Sequence, residues 1–559
     1  MKLTKYHLIK ISAFVLSLAV IINIWFVPQK TLRAAQNADS DMKGVWVSLI
    51  YNMDYPVSMT TDASVLKKYA DDIIDDCADI GINNIFLQVR AVSDSIYPSQ
   101  IYPWSKYISG TQGKAPDGGF DPLAYWVDEC HKKGIKIHAW INPYRITTGK
   151  DEEFASLASS NPAVLHPEYV SKGYDDNYYF DPGIPEVREM VIAGAVEIAA
   201  NYNVDGIHMD DYFYPSKGLD DDAVFAMYGS GDKGLWRLEN VNTLVRELGA
   251  AVKAVNPDII FGISPSGIWA NKSNNPLGSN TNGMESYYGL YADTRAWALD
   301  GLIDYIAPQI YWNIGYDIAD YGILTEWWAN TLKNSPTKLY IGMADYKINN
   351  SDGIWNHDGV GEISRQLALN DTIDKIDGEI HFRYGNINDV PGLRDMLKSH
   401  YARENANNSG TTAYINKAVK MTLNGSFFFP TESDSSPLYP ITFNDSTYLP
   451  ARAIAEALGA KVDWDPASNT VIIESGNTVN IPDGTGIYPN TIEEITVVKN
   501  GIKIVVDGKE TECLDAGGSK TEPFIYKDRT YIPVRAIASA LGAEVDYIDE
   551  SKTVVINRH

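Results

Sequence analysis

The sequence predicts an α/β chain, a closed (β/α)8 TIM barrel followed by a small α+β repeat region of stalk type. Three observations carry this. Eight short β-rich apolar runs alternate with longer amphipathic stretches between residue 44 and about residue 385, the alternation that builds parallel sheets. Amphipathic stretches stop on glycines, as at Gly81 and Gly134, the favoured residue just past a helix end. Near residue 400 the alternation ceases, and beyond it one strand–helix–strand segment occurs twice.

The elements follow in chain order. Lys2, Lys5 and Lys10 precede the apolar run "ISAFVLSLAVIINIWFV" (11–27). This layout predicts a secretory signal cleaved near Ala34 or Ala35, or an uncleaved membrane anchor. Either places the body outside the cytoplasm, so residues 1–38 are set apart from the fold. The eight runs are "GVWVSL" (44–49), "NNIFLQVR" (83–90), "IKIHAWI" (135–141), "VDGIHMD" (204–210), "DIIFGIS" (258–264), "IDYIAPQIYW" (303–312), "LYIGMADY" (339–346) and "EIHFRYG" (379–385). Helical patterns such as 62–81 and 122–134 separate them. An open doubly wound sheet is the rival arrangement. No Gly-rich phosphate loop follows the first strand, which weakens a nucleotide-binding version of it.

The barrel is placed at 39–400. "SHYARENANNSGTT" is polar and aperiodic, and 401–413 reads as a linker. The remainder, 414–559, holds two related copies, about 414–475 and 476–559. "TYLPARAIAEALGAKVDWD" (447–465) matches "TYIPVRAIASALGAEVDYI" (530–548), with about twelve of sixteen positions identical from the tyrosine onward. Neither copy carries paired carboxylates or a nucleophile–base set, so the region reads as a binding or spacer module.

Composition narrows the function. A formal charge of −25 over 559 residues leaves no net positive field to draw nucleic acid. A polysaccharide partner fits that charge. Three cysteines without a CxxC pair argue against a zinc site or a disulfide framework. No metal and no cofactor is expected.

The chemistry is expected where barrel strands end, because the C-terminal mouth of a parallel barrel carries the active site. "DGIHMDDYFYP" (205–215) ends a buried run on two carboxylates amid three tyrosines. Period-two alternation puts Ile207 and Met209 on the helix side and His208, Asp210 and Tyr212 on the inner side, with Asp211 opening the loop. The same parity turns Arg90, Asn142, Gln309 and Tyr311 inward, while Gln88 and His138, deeper in their strands, read as an internal network. Such a ring of polar groups at one mouth predicts a polar ligand. Glycoside hydrolysis uses two carboxylates. Asp210 is the candidate nucleophile or base, kept ionised by Arg90 and His208. Glu285, in the loop after the fifth strand, is the candidate acid, ahead of Asp345 and Asp211; Asp293 reads as structural. Trp104, Tyr144, Tyr212, Trp269 and Trp312 are candidate platforms for sugar rings.

Five stretches then show a resemblance: "GVWVSLIYNMDYP", "INNIFLQVRAVSDSIYPSQIYPWSKYISGTQGK", "FDPLAYWVDECHKKGIKIHAWINPYRI", "DGIHMDDYFYP" and "DYIAPQIYW". In that order they resemble the glycosyl hydrolase-like 10 family over about residues 42–400. The resemblance implies a (β/α)8 barrel and glycan hydrolysis at the bacterial envelope, with peptidoglycan glycan strands as substrate. It puts the family's strand-four aspartate on Asp210, its "QVR" arginine on Arg90 and its "WINPYR" asparagine on Asn142. Strand four also resembles the "DGxDxDxE" of chitinase-type barrels, but Tyr212 stands at the catalytic Glu position and His208 replaces the first inner Asp. The repeats resemble the stalk domain named after the copper amine oxidase N-terminus, which implies a wall-associated module and neither copper nor oxidase activity. The rival function is a non-catalytic glycan-binding wall protein that keeps the barrel as a docking surface.

Overall fold

The computed structural model describes residues 42–558, apart from 211, 350–352, 409–410, 432–436, 444–445, 466–468, 477–487, 490, 498, 500, 515–519 and 528. The expected signal or anchor, 1–38, lies outside the described residues. Among those that are described, no helix is long and apolar enough to cross a membrane.

Eight parallel strands close into a barrel: β1 (Met42–Val47), β2 (Asn84–Arg90), β3 (Lys136–Ile141), β4 (Gly206–Met209), β5 (Ile260–Ile263), β6 (Tyr305–Ile306), β7 (Lys338–Met343) and β8 (Ile376–His381). Each pairs with its neighbours in sequence, and β8 returns to β1 with Met42 opposite Gly378. Each expected run thus contains one strand. The sixth is the shortest: Pro308 lacks the N–H a ladder needs, and beyond Ile306 only single bridges at Gln309 continue it. The seam between β8 and β1 depends on one glycine. Gly378 has φ +123, and a Cβ there would stand 2.1 Å from the Met42 carbonyl oxygen, so no other side chain fits.

Helices cover the barrel: α1 (Ala63–Ile80), α2 (Pro122–Lys132), α3 (Pro185–Asn201), α4 (Lys233–Val255), α5 (Thr294–Leu299), α6 (Tyr321–Leu332), α7 (Gly353–Asn370) and α8 (Leu393–Asn408). Local chemistry sets their ends. Asp62, Asp121, Asp232, Asp293 and Asp320 each accept a backbone N–H of the first turn, as N-caps do. Gly81, at φ 96, ends α1. The α1 face made by Leu66, Ala70, Ile73, Ile74, Cys77 and Ile80 is buried, a 3–4 spacing that seats one stripe on the sheet.

Inside the barrel, aromatic rings replace the usual branched aliphatic layers. Trp46, Phe86, Trp140, Tyr305 and Tyr340 pack together, with His138 and His208 fully buried among them. Long loops follow β3, β4 and β5. The first carries a hairpin of Val170–Lys172 and Tyr178–Phe180.

The segment read as a linker is ordered differently. α8 continues to Asn408, and a strand starts at Thr411. Ala, Arg and Glu in "YARENANN" support a helix, and Tyr401 is buried in the core shared with the barrel. The stalk copies differ from two consecutive modules, because they exchange strands. Lys420–Leu423 of the first copy pairs with Thr553–Arg558 of the second, and Thr470–Glu474 of the first pairs with Lys503–Val506 of the second. The central strands meet directly, Leu449 opposite Ile532, and one core draws on both copies.

Candidate active site

The C-terminal ends of the strands open into a cavity of about 370 Å³. Trp46, Gln88, Trp140, Arg145, Asp210, Tyr212, Ser264, Gln309, Tyr311 and Phe382 are among its walls, so residues from both sides of the barrel converge there. Among the described residues lining it, Asp210 is the only carboxylate.

Asp210 follows β4 and is held on three sides. Asn142 Nδ2 donates to both of its oxygens, at 2.7 and 2.6 Å. Trp140 Nε1 donates to Oδ2 at 3.2 Å, and the Tyr212 backbone N–H to Oδ1 at 3.2 Å. A relay reaches back from this cradle. Asn142 Oδ1 accepts from Gln88 Nε2 at 2.7 Å. Gln88 Oε1 in turn accepts the backbone N–H groups of Leu49 and Ile50, both at 3.0 Å. The loop after β1 therefore fixes the amide of Asn142, and that amide aims Asp210.

Arg145 completes the cradle. Its Nη2 donates to Asn142 Oδ1 at 3.1 Å, its Nε to the Ala91 carbonyl at 3.0 Å, and its guanidinium lies over the Tyr212 ring, 4.5 Å from the centroid. Burial raises the Asp210 carboxyl above the ordinary Asp range, while Arg145, Asn142, the Tyr212 N–H and Trp140 each pull it down. The net direction is upward. A carboxyl so placed keeps its proton to higher pH than a surface aspartate, which suits proton transfer to a leaving oxygen.

The inward set expected from strand parity is only partly assembled. Asn142, Asp210, Tyr212, Gln309 and Tyr311 line or support the cavity. Gln309 donates to the Ser264 carbonyl at 2.8 Å, and Tyr311 lies nearly parallel to Phe382 with centroids 6.1 Å apart. Gln88, read as internal, reaches the cavity wall. Asp211 lies outside the described residues.

Arg90 does not reach the mouth. The β2–β3 register shifts between Gln88 and Arg90, and this bulge turns Arg90 outward. Its guanidinium lies 4.4 Å from the Tyr102 ring centroid and beside Gly194 of α3, where a Cβ would stand 2.4 Å from Nη1. His208 also falls short of the cavity. It is fully buried beneath the mouth, where burial lowers its pKa well below the ordinary range. Its neutral ring accepts from Trp46 Nε1 at 3.0 Å and donates through Nδ1 to the Tyr305 hydroxyl at 2.9 Å. An indole N–H can only donate, which fixes this tautomer. His208 therefore organises the interior, and Asp210 has Arg145 for its cation.

Glu285 is not on the cavity wall. It is buried and closes its own loop, accepting from the Asn271 backbone N–H at 2.5 Å and from Asn274 Nδ2 at 3.0 and 3.1 Å. Asp345 is paired with His381 at 2.8 Å under α8. Asp293 caps α5 and accepts from Trp269 Nε1. Of the expected ring platforms, Tyr212 lines the cavity and is 51% exposed. Tyr144 and Trp269 are buried, and Trp312 faces Gly267 with its carbonyl bonded to Gln366. Trp104 is bridged to Ser95 in the loop after β2. Instead, Tyr51 and Tyr346 stand exposed on the rim. Arg145, three residues after Asn142 in "WINPYR", was signalled only by sharing that stretch. Its loop position carries no parity.

A cradled carboxyl under aromatic faces at the mouth of a parallel barrel has the make-up of a glycoside hydrolase. The comparisons agree. Residues 41–357 match the model of "Glycosyl hydrolase-like 10", and the chain belongs to this family. Residues 422–556 match the copper amine oxidase N-terminal domain. The chain is 40% identical to the glycosyl hydrolase YngK of Bacillus subtilis, over 67% of this chain and 74% of that one. It is 38% identical to the glycosyl hydrolase DigH of Escherichia coli K12, over 63% and 85%. The PgaB glycoside hydrolase domain of Bordetella bronchiseptica superposes with TM-score 0.44 at 13% identity, covering 64% of this chain and 99% of that domain.

Proposed function

We propose that the barrel cleaves O-glycosyl bonds of a cell-envelope polysaccharide outside the cytoplasm, and that peptidoglycan glycan strands are its substrate. One observation carries this reading: the three-sided cradle of Asp210, which holds a buried carboxyl with a raised pKa in a cavity of sugar size. In this reading a protonated Asp210 gives its proton to the glycosidic oxygen as the bond from that oxygen to the sugar carbon breaks, and water ends on the carbon. Arg145 and Asn142 then stabilise the carboxylate that remains. Tyr212, Tyr311 and Phe382 offer apolar faces to the rings of the substrate.

The expected leader would carry the protein across the membrane, and the stalk would keep it at the wall. The reading is supported by the acidic charge, which fits a polysaccharide better than a nucleic acid, and by relatives named glycosyl hydrolases.

A second reading, glycan binding without cleavage, is favoured by one feature: Asp210 is the sole carboxylate among the described lining residues. Incubation with purified peptidoglycan strands separates the two. New reducing ends from the wild type, lost in Asp210→Asn, are the expected result. Retention on the glycan with no new reducing ends in either protein favours the binding reading instead.

A further inference from the structure

Both stalk copies present the same exposed trio. An arginine sits in the first turn of each short helix, and an aspartate and an aromatic ring follow on the next strand. These are Arg452, Asp463 and Trp464 in the first copy and Arg535, Asp546 and Tyr547 in the second. Trp464 and Tyr547 are each 41% exposed, whereas rings kept for folding are mostly buried. Local geometry repeats too: Asp463 and Asp546 each accept the backbone N–H of the adjoining aromatic residue at 2.8 Å. Both strands lie at the edge of a four-stranded sheet. In the second copy the ring opens on a groove of about 800 Å³, shared with Tyr414, Asn416, Thr447 and Arg535. Tyr414 is 42% exposed.

We propose that these two faces bind the pyranose rings of an uncharged, N-acetylated glycan, and so hold the protein on the polymer independently of the barrel. An exposed ring offers a flat apolar surface to the C–H face of a sugar, and its neighbours supply the polar contacts. Aspartate accepts from sugar hydroxyls, while arginine donates to hydroxyl and acetamido oxygens. Asp546 and Asp549 beside the same groove, on a chain of charge −25, repel a polyanion. That excludes the anionic wall polymers as occupant. Two weak sites on one chain reinforce each other on a repeating polymer. This inference rests on the reading that the barrel's substrate is a polysaccharide.

The test uses the full chain and insoluble peptidoglycan sacculi stripped of anionic polymers. Trp464→Ala and Tyr547→Ala should each weaken retention roughly 5-fold, and the double variant more than about 20-fold. Trp464→Phe and Tyr547→Phe keep a ring and should stay within about 2-fold of wild type, which separates ring stacking from loss of folding. Cleavage of short soluble glycan fragments by the double alanine variant should match wild type. Retention of that variant at the wild-type level overturns the proposal, as does equal loss in the phenylalanine variants. Absence of cleavage in every protein, with retention still dependent on the rings, overturns the hydrolase reading and leaves this one standing.

Discussion

At the scale of single residues, Asp210 balances two opposed effects, and each can be removed. Burial raises its pKa in the native state, so the folded protein holds a proton that the unfolded chain releases near pH ~3.9. The sign follows from linkage: stability falls as pH rises through the unfolded value toward the native one, and the penalty persists above it. Asp210→Asn should therefore melt higher than wild type at pH 7, and the difference should vanish below about pH 4. Calorimetry at the two pH values checks this; a lower melting temperature at pH 7 would contradict the buried-carboxyl account. Arg145 acts the other way, holding the pKa down. Arg145→Met should shift the Asp210-dependent limb of the pH–rate profile to higher pH, whereas a merely structural loss would lower the whole profile without moving it. Gln88→Ala should leave Asn142 free to turn and lower kcat by about 10- to 100-fold, with KM nearly unchanged.

At the scale of elements, the strands and helices were legible because their signals are local. Period-two runs, aspartate caps and glycine stops each act within a few residues, and the boundaries they predict lie close to those observed. Arg90 shows where such reading ends. A single extra residue between Gln88 and the partner strand reverses the face of everything after it, and the bulge has no mark in "LQVRAV". Glu285 failed for a related reason: its loop was placed on the correct end of the barrel, but loops obey no parity, and the carboxylate turned back on Asn271 and Asn274. Arg145 was hidden on the same ground. The closing seam yields a sharper expectation. Gly378→Ala must push a methyl group into the Met42 carbonyl at a positive φ, and should cost about 2–4 kcal/mol. Urea unfolding followed by tryptophan fluorescence measures it, and a change below ~0.5 kcal/mol would mean that the seam relaxes freely.

At the scale of the whole molecule, the repeat predicted two copies but not how they join. Sequence identity marks equivalent strands; it does not say which strand each one meets. Here the outer strands are exchanged, so that Lys420–Leu423 and Thr470–Glu474 both find their partners in the other copy. Neither copy then owns a closed core: Leu449, Ile454 and Ile473 pack in the same cluster as Ile532, Ile537 and Ile556. Independent modules would tolerate removal of one, since each would keep its own ladder and core. An interlocked pair would not, because truncation exposes two strand edges and half of an apolar core at once. A chain ending at residue 475 should therefore lose protection throughout 414–475, and limited proteolysis should trim it back to the end of the barrel. The full chain should resist the same protease as far as its second copy. A stable fragment ending near residue 475 would show that the first copy folds by itself, and the strand exchange would then add contacts without being required for the fold.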